Sequence, residues 1–235
     1  MTFTVFFAAK GGSGTSVIAA CAALDPRHRT VLVDLAGDLP DLLGLPAASG
    51  QGLSDGFASD AHAAAVLDLA VDAGPTTRLV PRGPAPLDPD HPRWPELGTW
   101  LAGDHDWHAV VDAGLGEPPA GLVTPDSVRT IAVTLPCYLS LQRAERFATR
   151  PDGVVLVKEP GRSFVESDIE RSFQAPVIAE VGFGADVARA TDAGLLAGLP
   201  GAYKGVSGLL DPATWAQPRS RTRVRTRIRP HVVAS

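Results

Sequence analysis

Cysteine is nearly absent: Cys21 and Cys137 are the only two in 235 residues. Two thiols exclude a disulfide framework and a four-cysteine zinc site within one chain. No apolar run approaches the roughly 18 residues that a transmembrane helix needs, so none is predicted. The opening segment, residues 1–10, has no basic stretch ahead of its apolar run and no cleavage signal. No signal peptide is therefore predicted, and a reducing, cytoplasmic compartment is the expectation. Lysine is scarce, with Lys10, Lys158 and Lys204 against 18 arginines. Acidic residues are missing altogether from 216–235.

The acids that the last twenty residues lack are concentrated in the rest. Residues 1–215 hold 26 acids against 15 bases, a net charge of −11, while 216–235 add six arginines to bring the whole chain to −5. An acidic body with a cationic tail suggests two parts with separate jobs. A chain of this length buries roughly 70% of its unfolded surface, enough for a core that needs no covalent staples.

Short apolar runs alternate with helical patterns. Strands are predicted over 3–8, 30–34, 77–80, 107–112, 128–134, 153–157 and 176–181. Helices are predicted over 17–24, 38–45, 62–71, 94–101, 139–148, 164–173 and 186–194, with loops at 49–55 and in the Pro-rich 81–95. Strands apolar on both faces and separated by helices imply a mostly parallel sheet covered on both sides. With no internal repeat and no linker between two such patterns, the expectation is one doubly wound α/β domain over 1–215 and an arginine-rich tail over 216–235.

Chemistry concentrates at the first strand-to-helix turn, Lys10-Gly-Gly-Ser-Gly-Thr-Ser16. In a doubly wound sheet, ligands bind beyond the carboxyl ends of the strands. Gly11, Gly12, Ser13, Gly14, Thr15 and Ser16 could turn their backbone N–H groups into a concavity, and the helix that follows adds a partial positive charge. That combination suits a phosphate, and the Ser16 hydroxyl suits a magnesium ion. The bland alternative is a glycine turn that merely joins strand to helix. Two further strands end in acids, Asp34 and Asp112. Each is either a magnesium holder near the glycine loop or a cap for the loop that follows.

The heptapeptide resembles the deviant Walker A motif, Lys-Gly-Gly-x-Gly-Lys-Ser/Thr, of the MinD/ParA family of P-loop ATPases. The resemblance continues through Val31-Leu-Val-Asp34 and Asp38-Leu-Pro-Asp-Leu-Leu-Gly-Leu45, similar to the second strand and switch I, and through Arg78-Leu-Val-Pro81. Val110-Val-Asp112-Ala-Gly114 resembles the switch II strand, and Ala190-Thr-Asp-Ala-Gly-Leu-Leu196 the late helix near the adenine pocket. The resemblance implies a cytosolic, ATP- and Mg2+-dependent homodimer that positions a cargo or assembles a machine. Lys10 would reach across to the partner protomer's phosphates, Asp38 would serve catalysis, and Ser16, Asp34 and Asp112 would hold the metal.

The sequence also departs from that pattern. Thr15 stands where the lysine that contacts the β- and γ-phosphates is expected, which removes a full positive charge. Many relatives carry a second acid at the position of Ala36; Asp38 is the nearest substitute. Lys158 lies where an adenine-binding Asn is often found. Irregular P-loops of this kind resemble those of the CpaE/TadZ group, tied to pilus assembly. Weak hydrolysis, or a pseudo-ATPase that keeps the fold as a protein-interaction scaffold, follows from the missing charge.

In the tail, Arg219, Arg221, Arg223, Arg225, Arg227 and Arg229 alternate with other residues. An extended strand would put all six on one face. A solvated tail, pairing with an acidic surface, and non-specific binding to nucleic acid or an anionic surface remain open readings. Cys21 and Cys137 read as small hydrophobes, His105 and His108 lack a third ligand partner, and the four tryptophans read as packing residues.

Overall fold

The computed structural model describes residues 3–46, 51–59, 62–123, 128–182, 184–199, 206 and 208–211. The arginine tail and Lys204 lie outside them. Eight strands form one sheet: β1 (Phe3–Ala8), β2 (Thr30–Asp34), β3 (Val71–Asp72), β4 (Thr77–Val80), β5 (His108–Leu115), β6 (Val128–Thr134), β7 (Gly153–Lys158) and β8 (Val177–Gly182). Their spatial order is β3-β4-β2-β5-β1-β6-β7-β8. Every pairing is parallel except β3 with β4. The helices are α1 (Thr15–Ala23), α2 (Leu39–Leu42), α3 (Leu53–Ala58), α4 (Trp94–Leu101), α5 (Tyr138–Ala144), α6 (Glu166–Phe173) and α7 (Ala185–Asp192), with 3-10 turns at Ala63–Leu69 and Leu196–Gly198.

Alternation along the strands divides the core between the two faces. Phe6, Leu32, Leu79, Val110, Ile131 and Val133 pack with the Ala-rich α1, with Leu39 and Leu43, and with Val187 of α7. Their neighbours Phe3, Val5, Val31, Val33, Val80 and Val111 pack on the other face with α3 and α4. On that same face Phe7, Ala132, Val154 and Leu156 meet α5 and α6. The strands at the centre are buried on both sides, which is why their sequences read as continuous apolar runs.

The doubly wound sheet expected from the sequence is the one observed. Two segments depart from expectation in detail. Residues 62–71, predicted as an α-helix, form a 3-10 helix at Ala63–Leu69 and then the antiparallel edge strand β3, the one break in an otherwise parallel order. Residues 53–55, predicted as loop, open α3 instead; Leu53 and Phe57 are buried under α4, and the Asp55 carboxylate accepts the Gly52 amide at 2.8 Å as a cap. Tertiary burial supplied the stability that a six-residue helix lacks alone. No described helix is long and apolar enough to cross a membrane.

Phe6 is fully buried between α1 and the sheet. Phe6→Ala should therefore destabilise the domain by about 3–5 kcal/mol, which urea unfolding followed by far-UV circular dichroism will measure.

Candidate functional site

Parity decides where the two strand-end acids point. Leu32 and Val110 face α1, and two residues further along Asp34 and Asp112 keep that face. The β2–β5 register pairs Asp34 with Asp112 directly. Both are fully buried, at 0% exposure. They lie toward the carboxyl end of a sheet whose winding reverses at β1, between β5 and β6, the place where such folds open a crevice; β2 ends at Asp34, while β5, expected to end at Asp112, runs on to Leu115.

The glycine loop roofs this point. Gly14 takes φ 83°, a left-handed conformation that turns the chain into α1 without a side-chain cap. Its carbonyl accepts the Ile18 amide at 2.9 Å. The first turn of α1 contains no acid, so its N-terminal amides are met by no carboxylate of their own turn. Ser13, almost fully buried, donates its hydroxyl to the Lys10 carbonyl at 2.7 Å and fixes the loop's shape. A cleft of about 690 Å³ opens in front, walled by Lys10 to Val17, by Leu35, Ala36, Asp38, Asp41 and Leu42, and by Ala113 to Leu115. The glycine loop, residues 35–42 and residues 113–115 thus meet on one cavity. Its size is that of a small-molecule site.

Charges around the cleft are unevenly supplied. Among the described residues that line it, Lys10 is the one cation, and its ammonium is turned back to the Gly11 carbonyl at 3.0 Å. Thr15 is buried at the start of α1 and carries no charge into the cleft. Asp38 and Asp41 stand on the opposite wall. Lys158 does not reach the cleft; its ammonium donates to Glu180 on β8 at 2.6 Å. The segment 190–196 also lies outside the lining and packs Leu196 into the α1-side core.

Beneath the loop, Asp34 accepts the amides of Gly37 at 2.6 Å and Leu39 at 3.2 Å. Asp112 accepts the Gly114 amide at 3.0 Å through Oδ1, while its Oδ2 is buried without a hydrogen-bond partner among the described residues. The Ser16 hydroxyl sits beside this carboxyl and favours its ionised form. An orphaned carboxylate oxygen next to a hydroxyl, under an anion cradle, fits a magnesium ion, which takes few protein ligands and keeps its waters. No group of three or more His, Cys, Asp or Glu side chains that could hold an ion occurs among the described residues. His105 instead stacks on Trp107, and His108 meets His28 edge-on. Cys21 packs against the core, and burial pushes its thiol up to about 12.

Sequence reasoning missed Arg82. It follows β4, 45 residues beyond Gly37, and donates from Nη1 to the Ala36 carbonyl at 2.5 Å. Only the β2–β4 pairing reveals that neighbourhood.

Burial is the main cause that drives Asp34 up to about 6 and Asp112 up to about 7; the charge of Asp38 adds to both, and that of Asp34 adds to Asp112. A carboxyl raised in the folded state stabilises the protein fully below the unfolded value near 3.9, and that contribution is lost as pH climbs through the folded value. The ligand-free protein should accordingly melt at least about 3 °C lower at pH 8 than at pH 5.5, the shift that ~1 kcal/mol gives a chain of this size. Asp112→Asn should flatten the profile, as differential scanning fluorimetry across that range will register.

No protein-family model and no curated protein sequence matches the chain. Solved structures do. A ParA family ATPase from Chlorobium tepidum aligns at 22% identity, over 83% of this chain and 90% of that one, with a TM-score of 0.63. The MinD cell division protein of Aquifex aeolicus aligns at 18% identity, over 88% and 93%, with a TM-score of 0.70. The septum site-determining protein MinD of Pyrococcus horikoshii, solved with Mg-ADP, aligns at 20% identity, over 83% and 87%, with a TM-score of 0.64. At these identities the likeness is one of architecture, and the architecture of this chain is that of the MinD/ParA ATPases.

Proposed function

We propose that the protein is a MinD/ParA-like nucleotide-binding switch that uses ATP and Mg2+ to set its own dimerisation and so to position or assemble a partner system. Division, partitioning, and pilus or secretion assembly of the CpaE/TadZ kind are the settings this reading covers. The carrying observation is the open cleft between the glycine loop and residues 35–38 and 113–115, with the orphaned Oδ2 of Asp112 beneath it.

In this reading the amides of 11–16 and the N-terminus of α1 receive the polyphosphate. Ser16, Asp34 and Asp112 would hold Mg2+, which when bound supplies the neutralising charge that phosphate chemistry needs. Asp38, on the far wall, is the residue that would orient an attacking water. Lys10 would leave its own loop carbonyl for the phosphates of a second protomer. Thr15 contributes a hydroxyl where an ammonium would stabilise the transferring phosphoryl group, so hydrolysis is weak or absent. With two acids on the wall and two beneath, the cleft favours the metal complex over the free nucleotide.

A second reading, a pseudo-ATPase scaffold, draws on the same uncharged Thr15 and on an exposed apolar rim. Leu115, on the cleft wall, is 62% exposed, and Tyr138 and Leu139 open α5 at 65% and 46%. Such side chains suit a protein contact that requires no turnover.

Titration with a fluorescent ATP analogue separates the two. Saturable binding with Mg2+, abolished by EDTA, is expected of the switch; no binding at millimolar nucleotide would leave the scaffold. Thr15→Lys should tighten Mg-ATP binding roughly tenfold to a hundredfold, the worth of a charged hydrogen bond. Lys10→Ala should abolish the nucleotide-dependent rise in mass seen by light scattering, while leaving monomer binding nearly unchanged.

A further inference from the structure

The loop that carries Ala36, Gly37 and Asp38 has its own restraint from outside the cleft. The parallel β2–β4 register pairs Val33 with Val80, so the chain beyond each strand runs side by side, Asp34–Ala36 along Pro81–Arg82. The Arg82 backbone is held in place: its carbonyl accepts the Ser54 amide and that of Pro81 accepts the Leu53 amide, both at 2.8 Å, from the first turn of α3. Its side chain then crosses to the other loop, with Nη1 on the Ala36 carbonyl.

The guanidinium lies flat over Gly37. A Cβ there would sit 2.6 Å from Nη1 and 2.7 Å from Nη2, and would overlap Cζ. Gly37 also holds φ 94°, which other residues resist. The amide of this same glycine caps Asp34 Oδ1. Arg82, Gly37 and Asp34 therefore form one continuous path from α3 to the buried acid. The arrangement is incomplete, since the Arg82 Nε is buried and unpartnered among the described residues. An arginine is not needed to pack a loop of this kind, and a buried donor left unmade costs free energy. Its positive charge also favours the ionised form of Asp34, at a cleft where Thr15 supplies none.

We infer that Arg82 is a positioning residue of the cleft: its guanidinium, laid across Gly37 and bound to the Ala36 carbonyl, latches residues 35–38 to α3 in the ligand-free protein. The latch sets where Asp38 stands on the cleft wall and keeps Asp34 capped. Movement of 35–38 then requires the guanidinium to let go, which couples the cleft to α3 on the opposite face of the sheet. This inference rests on the polyphosphate reading only for its consequence in binding, not for the latch itself.

Hydrogen exchange of the ligand-free full-length protein tests the latch, with Mg2+ and a fluorescent ATP analogue as the binding probe. Arg82→Ala should speed exchange in peptides covering 35–42 by about tenfold, the worth of one charged hydrogen bond, and weaken binding by a similar factor. Exchange in β5 and α1 should stay at the wild-type rate. Arg82→Lys should recover part of the binding through its charge but not the exchange protection, because an ammonium cannot lie flat on Gly37. Gly37→Ala, which evicts the guanidinium and also strains the positive φ of residue 37, should raise exchange at 35–42 at least as much as Arg82→Ala, and adding Arg82→Ala to it should raise that exchange no further. Unchanged exchange at 35–42 in Arg82→Ala, or a rise spread evenly over the domain, overturns the latch. If the wild-type protein binds no nucleotide, the polyphosphate reading fails, and the exchange data still decide the latch.

Discussion

Two carboxylates, buried side by side under a glycine loop, set the character of this molecule. Asp34 and Asp112 lie on paired positions of adjacent parallel strands with no exposure to water. Burying one carboxylate is costly, and burying two as neighbours is worse, unless hydrogen bonds or cations compensate. The fold answers with backbone amides from Gly37, Leu39 and Gly114, with the Ser16 hydroxyl, and with proximity to Arg82. One oxygen of Asp112 is still left without a partner. A core does not retain such a group for stability. On the proposed function it is the oxygen that Mg2+ would meet.

The same balance explains why the departures from the P-loop pattern matter. On the proposed function, an anion site built from amides and a helix N-terminus would remain geometrically whole without lysine at position 15, because backbone atoms would form the cradle. What changes is charge. The cleft faces its ligand with the Lys10 ammonium folded onto its own loop and with acids on the wall and beneath. On the proposed function, cationic help would come from a metal ion, from a second protomer, or indirectly from Arg82 by way of the loop it restrains. Binding survives such a loss more readily than phosphoryl transfer does, since transfer depends on charge stabilisation at the transition state.

Much of the molecule was legible in the order of residues. Runs such as Val31-Leu-Val-Asp34 and Val110-Val-Asp112 are apolar on both faces and end in an acid, which announces a buried parallel strand pointing a polar group at a crevice. The glycine loop between the first strand and an Ala-rich helix marked the turn that lines the cleft. Legibility failed where stability came from distant contacts. Leu53–Ala58 is too short to be a helix on its own propensity and forms because Leu53 and Phe57 reach a core shared with α4. Residues 63–72 divide into a 3-10 turn and an edge strand, because Val71 and Asp72 pair with Leu79 and Arg78 of β4, a contact the helical pattern did not reveal.

By itself the sequence determined the fold class, the glycine loop and the two strand-end acids, because hydrophobic period and turn chemistry are local properties. Only the tertiary structure decided that Asp34 and Asp112 are neighbours, that Lys10 turns back onto Gly11, that Lys158 pairs with Glu180 away from the cleft, and that Arg82 lies across Gly37. Apart from the local Lys10–Gly11 contact, each of these depends on strand order and register, and those are settled by how whole elements pack rather than by any short stretch of chain.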